Sequence, residues 1–345
     1  MSRVIDADGH VVENADEFAR FGWDGRSTGY PALDMMLARG RELIQFGLCT
    51  DASPWDPEAR LADMDREGIA VSVNYPTALL VLNQVEPAIA TDLCRVYNDW
   101  AHATFTEPTE SRVRTMALVA IADPASAARE ARRAVTELGA PGVAVSPFAG
   151  EVHLDDPALD ALWDVCEELD VPVGIHGGRN TTEPLLPIEG FRDQKRYYAM
   201  AHPFGQMIAM GDLAVGGVFD RHPRLRVAFL ESGVGWVRWY ADRLDAGWAD
   251  VRHPGADPTA VSERAPTEYV FGGRCFFSCE PDEPNLAQVI DGVGREHVVF
   301  ASDYPHFDCK FPHSVDAITE AGLDAAVLTA VTVDNPARLY GLPIA

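Results

Sequence analysis

The chain has little lysine and no long apolar run. Lys195 and Lys310 are its only lysines, and 28 basic residues face 53 acidic ones, which gives a formal net charge of −25. A field of that sign repels polyanions, so we expect no nucleic-acid partner. No stretch approaches the roughly 20 apolar residues that span a bilayer, and no apolar signal segment opens the chain. We therefore expect a cytoplasmic protein that has no membrane partner.

Cysteine is too scattered for a disulfide framework. The six cysteines include no CxxC pair, and a chain of 345 residues does not need disulfides to hold its core. We expect them to be reduced and mostly buried, and we assign none of them as a nucleophile. With 47% hydrophobic and 23% charged residues, the composition is that of an ordinary globular protein.

Short apolar or β-branched runs, bounded by turn residues, predict eight strands. The runs cover residues 4–8, 69–75, 115–122, 142–146, 171–177, 226–232, 275–280 and 297–304. A helix-like segment follows each run, and neither a repeat nor a flexible linker divides the chain. Eight alternations of strand and helix predict an α/β fold, a (β/α)8 TIM barrel made by a single domain over residues 1–345.

Helix limits and long insertions complete the predicted organisation. Asp123-Pro124 and Asp156-Pro157 predict helix starts, and Gly139 and Gly294 predict helix ends. Three long stretches predict insertions after strands 1, 5 and 6, namely residues 14–55, 178–203 and 248–272. The first two would rise over the catalytic face as a lid or substrate wall, or else cover the barrel or make a subunit contact.

Histidine and aspartate residues stand at the carboxyl ends of strands 1, 5 and 8. The two-residue period of a strand puts Asp6, Asp8 and His10 on one side of strand 1. His176 ends the fifth run before two glycines, and Asp303 ends the eighth, where an unpaired carboxylate would be costly. The carboxyl ends of barrel strands meet at one face. Two histidines and two aspartates, with Asp8 and His10 from strand 1, suit one divalent ion, zinc first and manganese second.

Four motifs, taken in order, resemble amidohydrolase family 2 over nearly the whole chain. They are IDADGH, VGIHGG, GGVFDRHPRLRVAFLESGVGW and VVFASDYPH. That family contains aminocarboxymuconate semialdehyde decarboxylases and resorcylate-type decarboxylases of the amidohydrolase superfamily. The resemblance implies a barrel, a small-molecule substrate, often a homodimer, and one divalent metal ion held by Asp8, His10, His176 and Asp303.

Two departures from the family pattern bear on the reaction. Strand 4, GVAVSPF, carries no lysine that could be carbamylated to bridge two metal ions, which favours a mononuclear site. Strand 6 ends in Glu231, where the family's decarboxylases have a histidine that assists the chemistry. Glu231 could act as a general base, could orient His176 or another ligand, or could form a structural salt bridge.

Further residues are candidates for direct roles. His202 and His306 are candidate catalytic residues, although His202 could instead begin a helix. Asp303 could move a proton as well as bind the metal. Arg179 could hold a substrate carboxylate, and Glu280, at the end of strand 7, could face the substrate. Four other histidines, which lie in turns or before strands, are expected at the surface: His222, His253, His297 and His313.

Three functions remain open at this point. Non-oxidative decarboxylation of a small carboxylated aromatic or enolic acid agrees with the family resemblance. Hydrolysis of a C–N, C–O or activated C–C bond by metal-activated water agrees better with Glu231. A binding protein that keeps the barrel without turnover is the third alternative, and the four predicted ligands argue against it.

Overall fold

The structure is a computed structural model that describes residues 4–39, 55–178, 194–249 and 262–343. Within these ranges eleven strands occur: β1 Val4–Val11, β2 Ile69–Pro76, β3 Val113–Thr115, β4 Ala117–Leu118, β5 Val143–Val145, β6 Phe148–Ala149, β7 Val152–His153, β8 Val173–Ile175, β9 Val227–Phe229, β10 Cys275–Cys279 and β11 Val298–Phe300. Each of the eight predicted runs contains strand residues. The third run contains both the end of β3 and β4, whereas the hairpin β6–β7 was not predicted.

Parallel pairing organises the strands into two main sheets. One has the order β1-β2-β3, and the other has the order β4-β5-β8-β9-β10-β11. Met116 joins β3 to β4 and donates its backbone N–H to the carbonyl of Asn74 at 3.0 Å. Only β6 and β7 pair in antiparallel fashion among the described strands. The predicted α/β class is therefore confirmed as a fold with parallel sheets.

The described strands β1 and β11 belong to different sheets. The residues that follow β11 are nevertheless hydrogen-bonded to β1. The N–H of Asp303 donates to the carbonyl of Asp8 at 2.9 Å, and the N–H of His10 donates to the carbonyl of Tyr304 at 2.7 Å. These bonds fix the end of the eighth run against the end of the first. Asp8, His10 and Asp303 are thereby held at one edge of the sheets.

Helices surround the sheets and follow most of the strands. Their bounds are α1 Ala15–Phe18, α2 Pro31–Arg39, α3 Pro57–Glu67, α4 Pro87–Ala101, α5 Pro124–Leu138, α6 Asp160–Glu168, α7 Gln194–Val215, α8 Val218–Arg221, α9 Val237–Ala249, α10 Pro266–Tyr269, α11 Leu286–Val293, α12 Ser314–Glu320, α13 Ala325–Thr329 and α14 Asn335–Tyr340. No helix among the described residues is long and apolar enough to cross a membrane.

Helix α5 shows how local sequence sets these elements. The Asp123 carboxylate accepts a hydrogen bond from the N–H of Ser126, and Gly139 ends the helix with a φ of 70°. Between these limits a stripe of buried alanines at helical spacing faces the sheet: Ala127, Ala131 and Ala134. The start and end that the sequence predicts for this helix are therefore confirmed.

Tyr75 of β2 is fully buried in the core, and its ring packs below the residues at the strand ends. Its hydroxyl lies 3.0 Å from that of Tyr340, which in turn donates to the carbonyl of Ala7 at 2.7 Å. A Cβ atom on Gly174 would lie 2.2 Å from the Tyr75 hydroxyl, so only glycine fits there. The ring of Tyr75 also approaches that of His176, with 5.2 Å between the centroids. The packed core thus supports the side chains that lie above it.

Two surface predictions were wrong, and parts of the predicted insertions lie outside the described residues. His222 and His297 are both buried. The His222 ring lies 3.2 Å from Asp160, and Nδ1 of His297 donates to the carbonyl of Cys275 at 2.9 Å. A position before a strand is therefore compatible with burial when the ring has a polar partner. Of the three insertions, residues 40–54, 179–193 and 250–261 are not described.

Candidate metal centre

Strand β1 delivers Asp8 and His10 to a buried point at its carboxyl end. Nδ1 of His10 donates to the carbonyl of Pro76 at 2.8 Å, which leaves the Nε2 lone pair available. Oδ1 of Asp8 lies 3.7 Å from that Nε2. Both carboxylate oxygens of Asp8 are buried and accept no hydrogen bond from the residues that the structure describes. The Asp8 carboxylate and Nε2 of His10 therefore face each other, and neither forms a hydrogen bond with a described residue.

His176 and Asp303 reach the same point from the ends of other strands. Nε2 of His176 lies 3.5 Å from Oδ1 of Asp8. Oδ1 of Asp303 lies 3.2 Å from Nε2 of His10. Asp303 has a φ of 53°, a left-handed conformation that is unusual for a residue other than glycine. The structure therefore brings together the four residues predicted as metal ligands.

The spacing of the donor atoms suits a divalent ion. Neighbouring ligand atoms that each lie about 2.1 Å from one ion are about 3 to 3.5 Å apart. Three facing pairs have separations of this order, from 3.2 Å to 3.7 Å, and the ligand atoms of Asp8, His10 and His176 all lie within 4.8 Å of one another. A second group, His10, Asp303 and His306, could also hold an ion. Both groups need Nε2 of His10, because its Nδ1 is hydrogen-bonded. This shared nitrogen agrees with one ion rather than two.

Burial sets the protonation of these ligands. It lowers the pKa of His10 to about 4 and that of His176 to about 3, so both rings are neutral near pH 7, as metal ligation requires. Burial also raises the pKa of Asp8 well above its usual value. Such a shift marks a carboxylate that has too little positive charge nearby. Buried nitrogen and oxygen donors that no described group hydrogen-bonds form a set that suits a divalent cation.

His306 is adjacent to the metal-facing groups and contacts Asp303. Its Nδ1 lies 2.8 Å from Oδ1 of Asp303, and its Nε2 lies 3.2 Å from the hydroxyl of Thr77. Its ring stacks on that of His10 with 4.0 Å between the centroids. Although burial opposes ionisation of Asp303, contacts with His306 and His10 hold the pKa of that carboxyl below its ordinary value. His306 is thus positioned to keep Asp303 ionised.

Glu231 lies between two histidines at the end of β9. Its Oε2 is 3.5 Å from Nε2 of His176 and 3.3 Å from Nδ1 of His202, a residue of helix α7. Its backbone N–H donates to the hydroxyl of Ser278 at 2.9 Å, and its φ is 52°. Burial raises the pKa of Glu231 well above its usual value, and Asp303 adds to the effect. This acid is therefore poised to hold a proton beside the metal-facing group.

Of the two residues predicted to contact substrate, the structure describes one. Glu280 directly follows β10 and is partly buried. Burial raises its pKa well above the ordinary value, and the nearby charges of Asp303 and Asp8 add to that rise. Arg179 lies outside the described residues. Its role as a carboxylate-binding residue stays a prediction.

Several supporting residues were not found from the sequence. Arg60 of α3 is buried and donates to the carbonyl of His10 at 3.1 Å. Asp6 was predicted on the same side of strand 1 as Asp8 and His10. The register of β1 shifts between Asp6 and Gly9, and the Asp6 carboxylate accepts hydrogen bonds from Ser302 and Ser72. One signal pointed to Arg60, because it shares a helix face with the buried residues four and seven positions later, Met64 and Glu67.

In this structure, the carboxyl ends of parallel strands bring histidine and aspartate donors around one point. This arrangement is typical of metal-dependent α/β enzymes. The family model for amidohydrolases matches residues 5–342, so this chain belongs to the amidohydrolase family. The family membership that the sequence motifs predicted is thereby confirmed.

Individual relatives give a finer comparison. The 2-amino-3-carboxymuconate-6-semialdehyde decarboxylase of Dictyostelium discoideum is 26% identical over 261 residues, which cover 74% of this chain and 68% of that protein. The gamma-resorcylate decarboxylase of Rhodococcus jostii is 27% identical over 321 residues, which cover 84% and 91% of the two chains. A dihydroxybenzoic acid decarboxylase from Polaromonas, solved with manganese and the inhibitor 2-nitroresorcinol, has the same fold, with a TM-score of 0.72, 21% identity and coverage of 99% and 97%.

Proposed function

We propose that this protein is a metal-dependent, non-oxidative decarboxylase of a small carboxylated aromatic or enolic acid. The observation that carries the proposal is the buried group of Asp8, His10, His176 and Asp303, whose facing donor atoms lie 3.2 Å to 3.7 Å apart. The names of the two decarboxylases described above support this reaction class. The same reaction is the first of the three that the sequence left open.

We propose that the two main sheets form one (β/α)8 barrel in a single domain. The chain runs from β3 directly into β4, and hydrogen bonds from Asp303 and His10 join the end of the eighth predicted strand to the first. The stretches 14–55, 178–203 and 248–272 would then follow strands 1, 5 and 6 and surround the mouth. A homodimer and a cytoplasmic location stay predictions.

We propose that Asp8, His10, His176 and Asp303 hold one divalent ion. Zinc and manganese both accept such a mixed set of nitrogen and oxygen ligands. The manganese in the Polaromonas structure supports the second of these ions. When bound, the ion supplies a Lewis acid that polarises the oxygens of a substrate.

Side chains of the protein are proposed to donate the proton, to orient the metal ligands and to bind the substrate. Decarboxylation breaks the bond between the carboxylate and the adjacent carbon, releases CO2, and leaves that carbon to take a proton. Glu231 is the proposed proton donor, because its buried carboxyl lies beside His176, and His202 holds it from the other side. His306 keeps Asp303 ionised and oriented. Glu280 and Arg179 are the proposed substrate-binding residues.

Product analysis tests this function. The panel comprises gamma-resorcylate and other carboxyphenols, with phenyl esters, anilides and lactones as the comparison set. We expect metal-loaded protein to release CO2 from at least one carboxyphenol and to lose that activity when a chelator removes the metal. Turnover of an ester, amide or lactone without any CO2 release would instead establish hydrolysis, for which Glu231 is placed to act as base. Metal binding without turnover of any compound would point to the non-catalytic alternative.

A further inference from the structure

Helix α7 places two side chains at strand ends: His202 at the end of β9, and Gln206 at the ends of both β8 and β9. His202 and Gln206 are four residues apart and therefore lie on one face of the helix. His202 contacts Glu231, as described above. Gln206 is buried, and its side-chain Nε2 donates to the carbonyl of Ile175 at 2.9 Å and to that of Leu230 at 3.0 Å.

The two acceptors of Gln206 precede two residues of the candidate site. Ile175 comes directly before His176, and Leu230 comes directly before Glu231. One amide group therefore links the end of β8 to the end of β9. Glu231 has a φ of 52°, so the peptide group held by Gln206 leads into a strained residue.

The chemistry of this link requires an amide. Both partners are carbonyl oxygens, so the side-chain nitrogen must face them, and its two N–H groups match the two acceptors. A glutamate carboxylate has nearly the same shape but no N–H, and its oxygens would repel both carbonyls. The Gln206 Oε1 atom is buried and hydrogen-bonds to none of the described residues. The donor end of the side chain is the part that makes contacts.

We infer that Gln206 is a positioning residue that fixes His176 against Glu231. By joining the carbonyls before these two residues, it holds Nε2 of His176 and Oε2 of Glu231 at their separation of 3.5 Å. This inference rests on the proposed function, in which His176 binds the metal and Glu231 gives the proton. A residue that merely attached α7 to the sheet would affect stability alone.

The test compares Gln206→Glu and Gln206→Met with Met210→Leu. Met210 is buried one turn further along α7, so its variant changes helix packing without removing this link. We expect both Gln206 variants to bind Mn²⁺ about 10- to 100-fold more weakly than the parent protein, the effect usual for partners that orient metal ligands. We also expect kcat to fall more than KM changes. Met210→Leu should bind Mn²⁺ like the parent.

Two separate measurements are made. The electron paramagnetic resonance signal of free Mn²⁺ gives the metal affinity, and crystal structures without metal give the distances in the site. Crystals of Gln206→Met should show a changed distance between His176 and Glu231, whether or not metal binds. If that distance and the Mn²⁺ affinity both stay at the parent values while the unfolding temperature falls, Gln206 is structural only and the inference is wrong. If the parent protein binds no divalent ion, the proposed function fails, and the crystallographic distance still decides the role of Gln206.

Discussion

Replacement of His176 by alanine will remove both metal binding and turnover. The variant loses a neutral imidazole whose Nε2 lies 3.5 Å from Oδ1 of Asp8 and has no hydrogen-bond partner among the described residues. We expect affinity for Mn²⁺ or Zn²⁺ to fall by more than about 100-fold, beyond the loss caused by changing a partner outside the metal ligands. We expect turnover of the best carboxyphenol to fall about a thousandfold, since a Lewis acid contributes several kcal/mol to such a reaction.

Calorimetric titration with metal and initial rates of CO2 release measure these two effects. His313→Ala is the matched control, because this side chain is 72% exposed and its Nδ1 lies 3.3 Å from Oδ2 of Asp316 rather than in the site. It should behave like the parent protein. A His176→Ala variant that keeps full metal affinity and full turnover would show that His176 does not bind a catalytic ion.

Glu231→Gln will separate proton transfer from metal binding. The variant keeps the size of the side chain between His176 and His202 but removes the carboxyl proton. General acid catalysis contributes about 10²- to 10⁴-fold to a rate, and we expect a loss of CO2 release in that range. Metal affinity should change by only about threefold, well below the loss expected for an orienting partner.

The Glu296→Gln variant provides the control, since the Glu296 side chain is exposed and its carboxylate lies 3.9 Å from Nε2 of His297, which is not a residue of the candidate site. Unchanged CO2 release by Glu231→Gln would exclude Glu231 as the proton donor. A large loss of metal affinity with little change in kcat at saturating metal would instead assign it the orienting role that the sequence left open. If the parent protein is a hydrolase, the same variant should abolish water-dependent turnover.

Periodicity and strand ends made much of the fold predictable. Eight apolar runs marked the strands, and an Asp-Pro pair and a glycine marked the limits of α5. The sequence also predicted that Asp8, His10, His176 and Asp303 lie close together, because parallel strands carry functional groups at their carboxyl ends. That rule depends only on the apolar pattern of each strand and on the direction of the chain, and both can be read from the sequence. The role of these four residues as metal ligands stays a prediction.

The supporting contacts were not predictable in the same way. Arg60 reaches the carbonyl of His10 across 50 positions, and Gln206 joins two strands from a helix that follows one and precedes the other. The hydrogen bonds of the Asp6 carboxylate with Ser302 and Ser72 likewise depend on which residues the fold brings next to β1. Such contacts depend on tertiary packing. Packing is also the reason why His222 is buried, although the sequence predicted it at the surface.

We propose that one divalent ion lies among Asp8, His10, His176 and Asp303. Anomalous scattering from crystals of protein loaded with Mn²⁺, collected on both sides of the manganese absorption edge, would locate that ion. We predict a single strong peak within about 2.2 Å of the nearest donor atoms of Asp8, His10, His176 and Asp303. A peak elsewhere, two peaks in the site, or no peak in the Mn²⁺-loaded crystals would show that these four residues do not hold one ion.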